Sequence, residues 1–108
     1  MKVENLFDGV PDDLPNELVT RLHQAKGLQI ERIVSQGQAS PPGFWYDQEE
    51  SEWVVVLQGY ATIQFQDDPE PMELRAGSYL NIPAHVKHRV VSTSLTEKTI
   101  WLAIHYSD

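Results

Sequence analysis

The sequence predicts an all-β jelly roll preceded by one short N-terminal helix, and three observations carry that expectation. From Leu28 onward the chain is a series of short runs rich in Val, Ile, Trp, Tyr and Thr, side chains that suit a pleated, half-buried surface. Turn-forming residues separate the runs at Gly37 to Gly43, Asp47 to Glu50, Gln58-Gly59, Asp67 to Pro69, Ala76-Gly77, Pro83-Ala84 and Ser94 to Glu97. The candidate strands are 28–36, 43–47, 51–58, 60–66, 71–75, 78–82, 87–93 and 98–106, and closing or stacking so many short strands is the usual protection for their edges.

The first 27 residues read differently. Pro11-Asp12-Asp13-Leu14-Pro15-Asn16-Glu17 supplies turn formers, N-cap candidates and acids suited to a first helical turn. Leu14, Leu18 and Leu22 recur every four residues with Val19 beside them, an apolar stripe that would dock on a sheet. Gly27 after Lys26 is a plausible stop. The expected organisation is one domain over 1–108, with an arm and helix over 1–27 and a β-barrel over 28–106.

Composition narrows the classes of function. A chain of 108 residues buries roughly two-thirds of its unfolded surface, enough for a single core. Sixteen acidic against eight basic side chains give a net charge of -8, which repels phosphate backbones and anionic headgroups, so neither nucleic acid nor a membrane is an expected partner. Met1 to Asp8 lacks the basic start and apolar run of a signal peptide, and a cytoplasmic location is expected. Without cysteine, disulfides, thiolate ligands and a thiol nucleophile are excluded. A transition metal would have to use His, carboxylate, Tyr or water.

Two stretches carry chemistry. In Glu52-Trp53-Val54-Val55-Val56-Leu57-Gln58-Gly59, strand alternation puts Glu52, Val54 and Val56 on one face and Trp53, Val55 and Leu57 on the other. A carboxylate above two valines must stop at a solvated rim or find a partner, because burying it unpaired is costly. The second stretch, Gly77-Ser78-Tyr79-Leu80-Asn81-Ile82-Pro83-Ala84-His85-Val86-Lys87-His88, runs from a glycine turn through a strand and a proline turn to two histidines. His88 shares a face with Val90, again one polar residue above an apolar lining.

These two stretches together resemble the cupin superfamily. Its first motif runs Gly, five residues, His-x-His, three or four residues, Glu, six residues, Gly, and Glu52 and Gly59 reproduce the second half. Its second motif runs Gly, five residues, Pro, one residue, Gly, two residues, His, three residues, Asn. Gly77, Pro83 and His88 match it, with His85 in place of the middle glycine and Ser92 in place of the asparagine. The resemblance covers about residues 37–106 and implies a double-stranded β-helix with a divalent metal ion (Fe, Mn, Zn or Ni) or a small ligand in the barrel mouth. The paired histidines of the first motif fall on Trp45 and Asp47 with the longer gap and on Tyr46 and Gln48 with the shorter one.

The resemblance thus implies a carboxylate-rich metal set of Asp47, Glu52 and His88, which His85, Tyr46 or Gln48 could complete or replace. Trp45, Tyr46 and His85 are expected to shape a ligand pocket, with Phe44 extending the aromatic wall. His105 shares a strand face with Trp101 and Ala103 and reads as a hydrogen-bonded core histidine, and His23 reads as surface. Arg32 falls on the face of Leu28, Ile30 and Val34, where it would pair with a buried carboxylate or reach solvent from an edge strand. The function that the resemblance implies is metal-dependent chemistry on a small organic molecule, of dioxygenase, isomerase or cyclase type. The competing expectation is a non-catalytic small-ligand or dimeric partner module. A homodimer is expected in either case, since Trp53, Val55 and Leu57 need cover from a second sheet or subunit.

Overall fold

The computed structural model describes residues 1–107 and is all-β, with eight strands and no helix among those residues. The strands are β1 (Leu18–Ala25), β2 (Leu28–Ser35), β3 (Ser51–Gln58), β4 (Tyr60–Phe65), β5 (Met72–Arg75), β6 (Tyr79–Ile82), β7 (His88–Thr93) and β8 (Thr99–Tyr106). They form a five-stranded sheet in the order β1-β2-β8-β3-β6 and a three-stranded sheet in the order β5-β4-β7, antiparallel throughout.

The two sheets face each other across a core of Val54, Val56, Ala61, Ile63, Leu74, Ile82, Trp101 and Ala103. Burying each of the larger aliphatic side chains there contributes about 1.5–3 kcal/mol. Alternation assigns the faces. On β3, Glu52, Val54 and Val56 point inward, while Trp53, Val55 and Leu57 stay half-buried on the outer face. A second cluster of Leu14, Val34 and Ile100, flanked by Val10, Leu18 and Leu57, lies outside β2 and β8 under the N-terminal arm.

The expected helix is absent, and β1 occupies most of its place. Every fourth residue and every second residue coincide at Leu14, Leu18 and Leu22, so their spacing does not separate the two periods. The glycine signal was equally shared: Gly27, at φ 70°, turns the hairpin between β1 and β2, and that left-handed backbone serves a tight β-turn as well as a helix stop. The sheet therefore begins at Leu18 rather than Leu28. The candidate strand over 43–47 reduces to a single bridge, Tyr46 to His88, because Pro41, Pro42 and the positive-φ Gly43 interrupt an extended run.

Arg32 also departs from both expectations. Strand β2 lies between β1 and β8, so Arg32 does not reach solvent from an edge. It is buried and donates to the carbonyl oxygens of Leu6 at 3.0 Å and Asp8 at 2.6 Å, which ties the N-terminal arm across the outer face of the sheet.

Candidate functional site in the barrel mouth

The site is built at the open end of the barrel, where the inward-facing rows of four strands end in polar residues. Register places Glu52 of β3 opposite His105 of β8, and Glu31 of β2 opposite Ala103, one inward position from His105. A polar row thus crosses the large sheet: Glu31, His105, Glu52. From the small sheet, His88 at the start of β7 completes it, with its Nε2 3.8 Å from Oε1 of Glu52.

Glu31, His105 and His88 are each held by hydrogen bonds. His105 Nε2 and Glu31 Oε1 are 2.9 Å apart, and Gln29 donates to the other oxygen of Glu31 at 2.9 Å. The Nδ1 of His88 lies 2.9 Å from the carbonyl oxygen of Val86. A carbonyl only accepts, so Nδ1 carries the proton, and in the neutral ring Nε2 presents a lone pair toward Glu52. The His88 ring lies between Tyr46, stacked at 5.5 Å, and Phe65, tilted at 6.1 Å. The backbone exchange between Tyr46 and His88, at 2.7 and 3.2 Å, fixes the first of these contacts.

Glu52 is 9% exposed. Burial raises its carboxyl above the ordinary carboxylate range; His105 and then His88 pull it back, and Glu31 adds to the rise. The Tyr46 phenol is also raised, by burial and then by the charges of Glu17 and Glu52, against a hydrogen bond with Ser40 that lowers it. It therefore stays a hydrogen-bond donor at neutral pH.

Beneath these groups is a cavity of about 210 Å³. Its rim carries Glu17, Glu31, Tyr46, Gln48, Glu52 and His105, and its floor is Ile33, Val54, Ile63, Ile82, Val90 and Trp101, with Val19 at the side. Glu17 is anchored by the Ser35 hydroxyl, which also accepts from the Trp101 indole at 3.2 Å. An apolar floor under a few convergent polar groups is the ordinary form of a small-molecule site.

The structure brings together only part of the expected site. Glu52 and His88 meet, and Tyr46 lines the cavity. Asp47 does not join them: its carboxylate is 2.9 Å from His85 Nδ1, and both side chains are exposed. His85 stands on the turn before β7 rather than in the cavity lining, and Trp45 lies against the Arg89 guanidinium at 5.9 Å, also outside that lining. The reason is the single-residue bridge at Tyr46. Alternation about it turns Tyr46 inward and its neighbours Trp45 and Asp47 outward.

Sequence reasoning passed over Glu31 and Glu17 and took His105 only as a core residue. His105 is hydrogen-bonded, as expected, but it also faces the cavity. The available signal was strand alternation, which puts Glu31 on the face of Ile33 and Ser35, beside the inward row of β8.

A divalent ion held by Asp47, Glu52 and His88 does not fit this arrangement. Among the described residues no three His, Asp or Glu side chains are grouped to hold one ion, and three protein ligands are the usual minimum for a catalytic centre. Glu52 and His88 remain as a pair, and the remaining imidazole, His105, is engaged by Glu31.

The comparisons with known proteins agree with this architecture. The model of the Cupin_2 family, described as a cupin domain, matches residues 31–105. The chain is a cupin. A crystal structure from Ralstonia eutropha JMP134, named a "putative mannose-6-phosphate isomerase", is 49% identical, with a TM-score of 0.96 and 100% of each chain covered. A cupin superfamily protein from Desulfitobacterium hafniense DCB-2 shares the fold at 22% identity and a TM-score of 0.74, over 92% of this chain and 84% of that one. An RmlC-like cupin from Desulfovibrio desulfuricans does so at 22% identity and a TM-score of 0.73, over 97% and 96%. Comparison with functionally curated proteins returns no match.

Proposed function

We propose that this cupin binds one small polar organic molecule in its barrel mouth and moves a proton on it through Glu52, as an isomerase of carbonyl compounds. The observation that carries the reading is the position of Glu52: a buried carboxyl that lines the cavity, with His105 beside it and His88 behind it. A carboxyl whose hold on its proton is raised by burial can both accept and return a proton, as a general acid–base group must. The name of the Ralstonia relative supports the same class of chemistry.

Interconversion of an aldose and its ketose requires moving one hydrogen between adjacent carbons. Ionised Glu52 takes the proton from the carbon beside the carbonyl as the enediol double bond forms, then returns it to the neighbouring carbon. The Tyr46 hydroxyl donates to the carbonyl oxygen that becomes a hydroxyl and recovers a proton from the hydroxyl that becomes a carbonyl. His88 does not line the cavity; it stands behind Glu52 with its Nε2 3.8 Å from Oε1, where a lone pair favours the protonated carboxyl that forms after the abstraction. His105, fixed by Glu31, keeps a second imidazole beside the reacting carboxyl. No step passes through a metal ion.

Homodimerisation belongs to the same proposal. The half-buried outer side chains of Trp53 and Val55, with the exposed Tyr79 ring 5.5 Å from Trp53, support a second copy as their cover.

Proton NMR in deuterated water tests the activity, with mannose and mannose 6-phosphate supplied in turn. Wild-type protein should exchange the C2 hydrogen of at least one of them, and Glu52→Gln should lose roughly 10²–10⁴-fold of that rate. Exchange by neither compound, or undiminished exchange in the variant, would overturn the reading.

A further inference from the structure

The rim of the cavity carries three carboxylates, Glu17, Glu31 and Glu52, and no lysine or arginine is among its lining residues. The nearby arginines are committed elsewhere. Arg32 holds the N-terminal arm on the outer face of the sheet, and Arg89 donates to the Ser40 carbonyl at 3.0 Å while lying over Trp45. The described residues contain no helix, so the other common phosphate cradle, a helix N-terminus, is also missing from them. A phosphate ester brings a charge of about -1.5 to -2 into a mouth that is already acidic, on a chain of net charge -8. Among the described lining residues it would find no lysine or arginine to pair with.

A polyhydroxy compound without phosphate meets the opposite situation. Both oxygens of Glu52 and one oxygen of Glu17 have no hydrogen-bond partner within the protein among the described residues, and each can accept from a hydroxyl. The Gln48 amide and the Tyr46 hydroxyl add donors on the same rim. The floor of Val54, Ile63, Val90 and Trp101 offers an apolar surface to the C–H face of such a molecule.

Resting on the isomerase reading above, we infer that the substrate class is an uncharged, non-phosphorylated hydroxy-carbonyl compound, and that this mouth selects against the phosphorylated sugar in the name of the 49%-identical relative. Specificity here is a difference of affinities created by repulsion: the acidic rim costs the phosphate ester more than it costs the free sugar.

Isothermal titration of the full chain with mannose and with mannose 6-phosphate, at one ionic strength and about pH 7, compares the two directly. The free sugar should bind at least roughly tenfold more tightly, a difference of about 1.4 kcal/mol. Gln48→Lys should narrow or reverse that ratio by giving the phosphate a cation at the rim. Equal or tighter binding of the phosphate by the wild type would overturn the inference while leaving proton transfer at Glu52 standing. Binding of neither sugar would overturn the inference together with the isomerase reading on which it rests.

Discussion

His88 and Glu52 face each other across the barrel mouth with Nε2 and Oε1 3.8 Å apart, too far for a direct hydrogen bond. The proton on His88 Nδ1 is occupied by Val86, so in the neutral ring a lone pair and a buried carboxyl oxygen oppose one another. Such a pair is relieved by a proton, and burial favours the protonated form of Glu52.

The first prediction concerns stability against pH. The Glu52 carboxyl is raised in the folded protein, chiefly by burial, so above the ordinary carboxylate range the native state holds a proton that the unfolded chain has released. Stability from this group is complete below the unfolded value and is lost as pH rises through the folded one. Glu52→Gln removes the dependence. Its melting temperature should match or fall below that of wild type at about pH 4 and exceed it at about pH 8. Thermal unfolding across that range checks the result, and parallel curves would count against it.

His85 gives a second prediction. Its φ of 64° lies in the left-handed region, and it occupies the position where the second cupin motif has glycine. The residue keeps the backbone turn that glycine serves and adds the exposed contact with Asp47, which in solvent is worth little. His85→Gly should therefore be neutral to stabilising, by up to about 1 kcal/mol. His85→Ala should be about 1 kcal/mol less stable than His85→Gly, because alanine pays the left-handed penalty. Urea unfolding of the two variants measures the difference.

Gly59 and Gly77 give a third. Both have φ 92°, but a Cβ on Gly59 would meet Thr99 Oγ1 at 2.5 Å, Thr99 Cα at 2.6 Å and the Lys98 carbonyl at 2.9 Å, whereas one on Gly77 meets nothing within 4 Å. Gly77→Ala should cost about 1–2 kcal/mol from backbone conformation alone. Gly59→Ala should cost roughly 1–3 kcal/mol more from the added clash. Equal losses in chemical denaturation would refute the close approach.

Metal content is the fourth. With no third side chain grouped with Glu52 and His88 to hold one ion among the described residues, untagged protein should carry far less than one equivalent of iron, manganese, zinc or nickel by element analysis, before and after incubation with each. A stoichiometric ion that disappears in a Glu52→Ala/His88→Ala double variant would restore the metal site that the cupin motifs imply.

Apart from 43–47, the sequence carried the strands from Leu28 onward because their alternation and turn residues agree at their boundaries. It also carried Glu52 and His88, since an isolated polar residue above valines marks an inward rim position. It misled at Leu14 to Gly27, where leucine spacing and a positive-φ glycine serve helix and hairpin alike. Asp47 and Trp45 could not be placed from spacing, because their direction depends on one bridge at Tyr46 that a run broken by Pro41, Pro42 and Gly43 does not announce. Glu31 and His105 form their contact diagonally between β2 and β8, strands far apart in the chain, and only the sheet order makes them neighbours.

The central claim is that Glu52 is a buried carboxyl poised for proton transfer between two imidazoles. Titration of its side-chain carboxyl by carbon-13 NMR, assigned by comparison with Glu52→Gln, measures that directly. The account predicts a midpoint above the ordinary glutamate value of about 4.3; a midpoint at or below that value would contradict it.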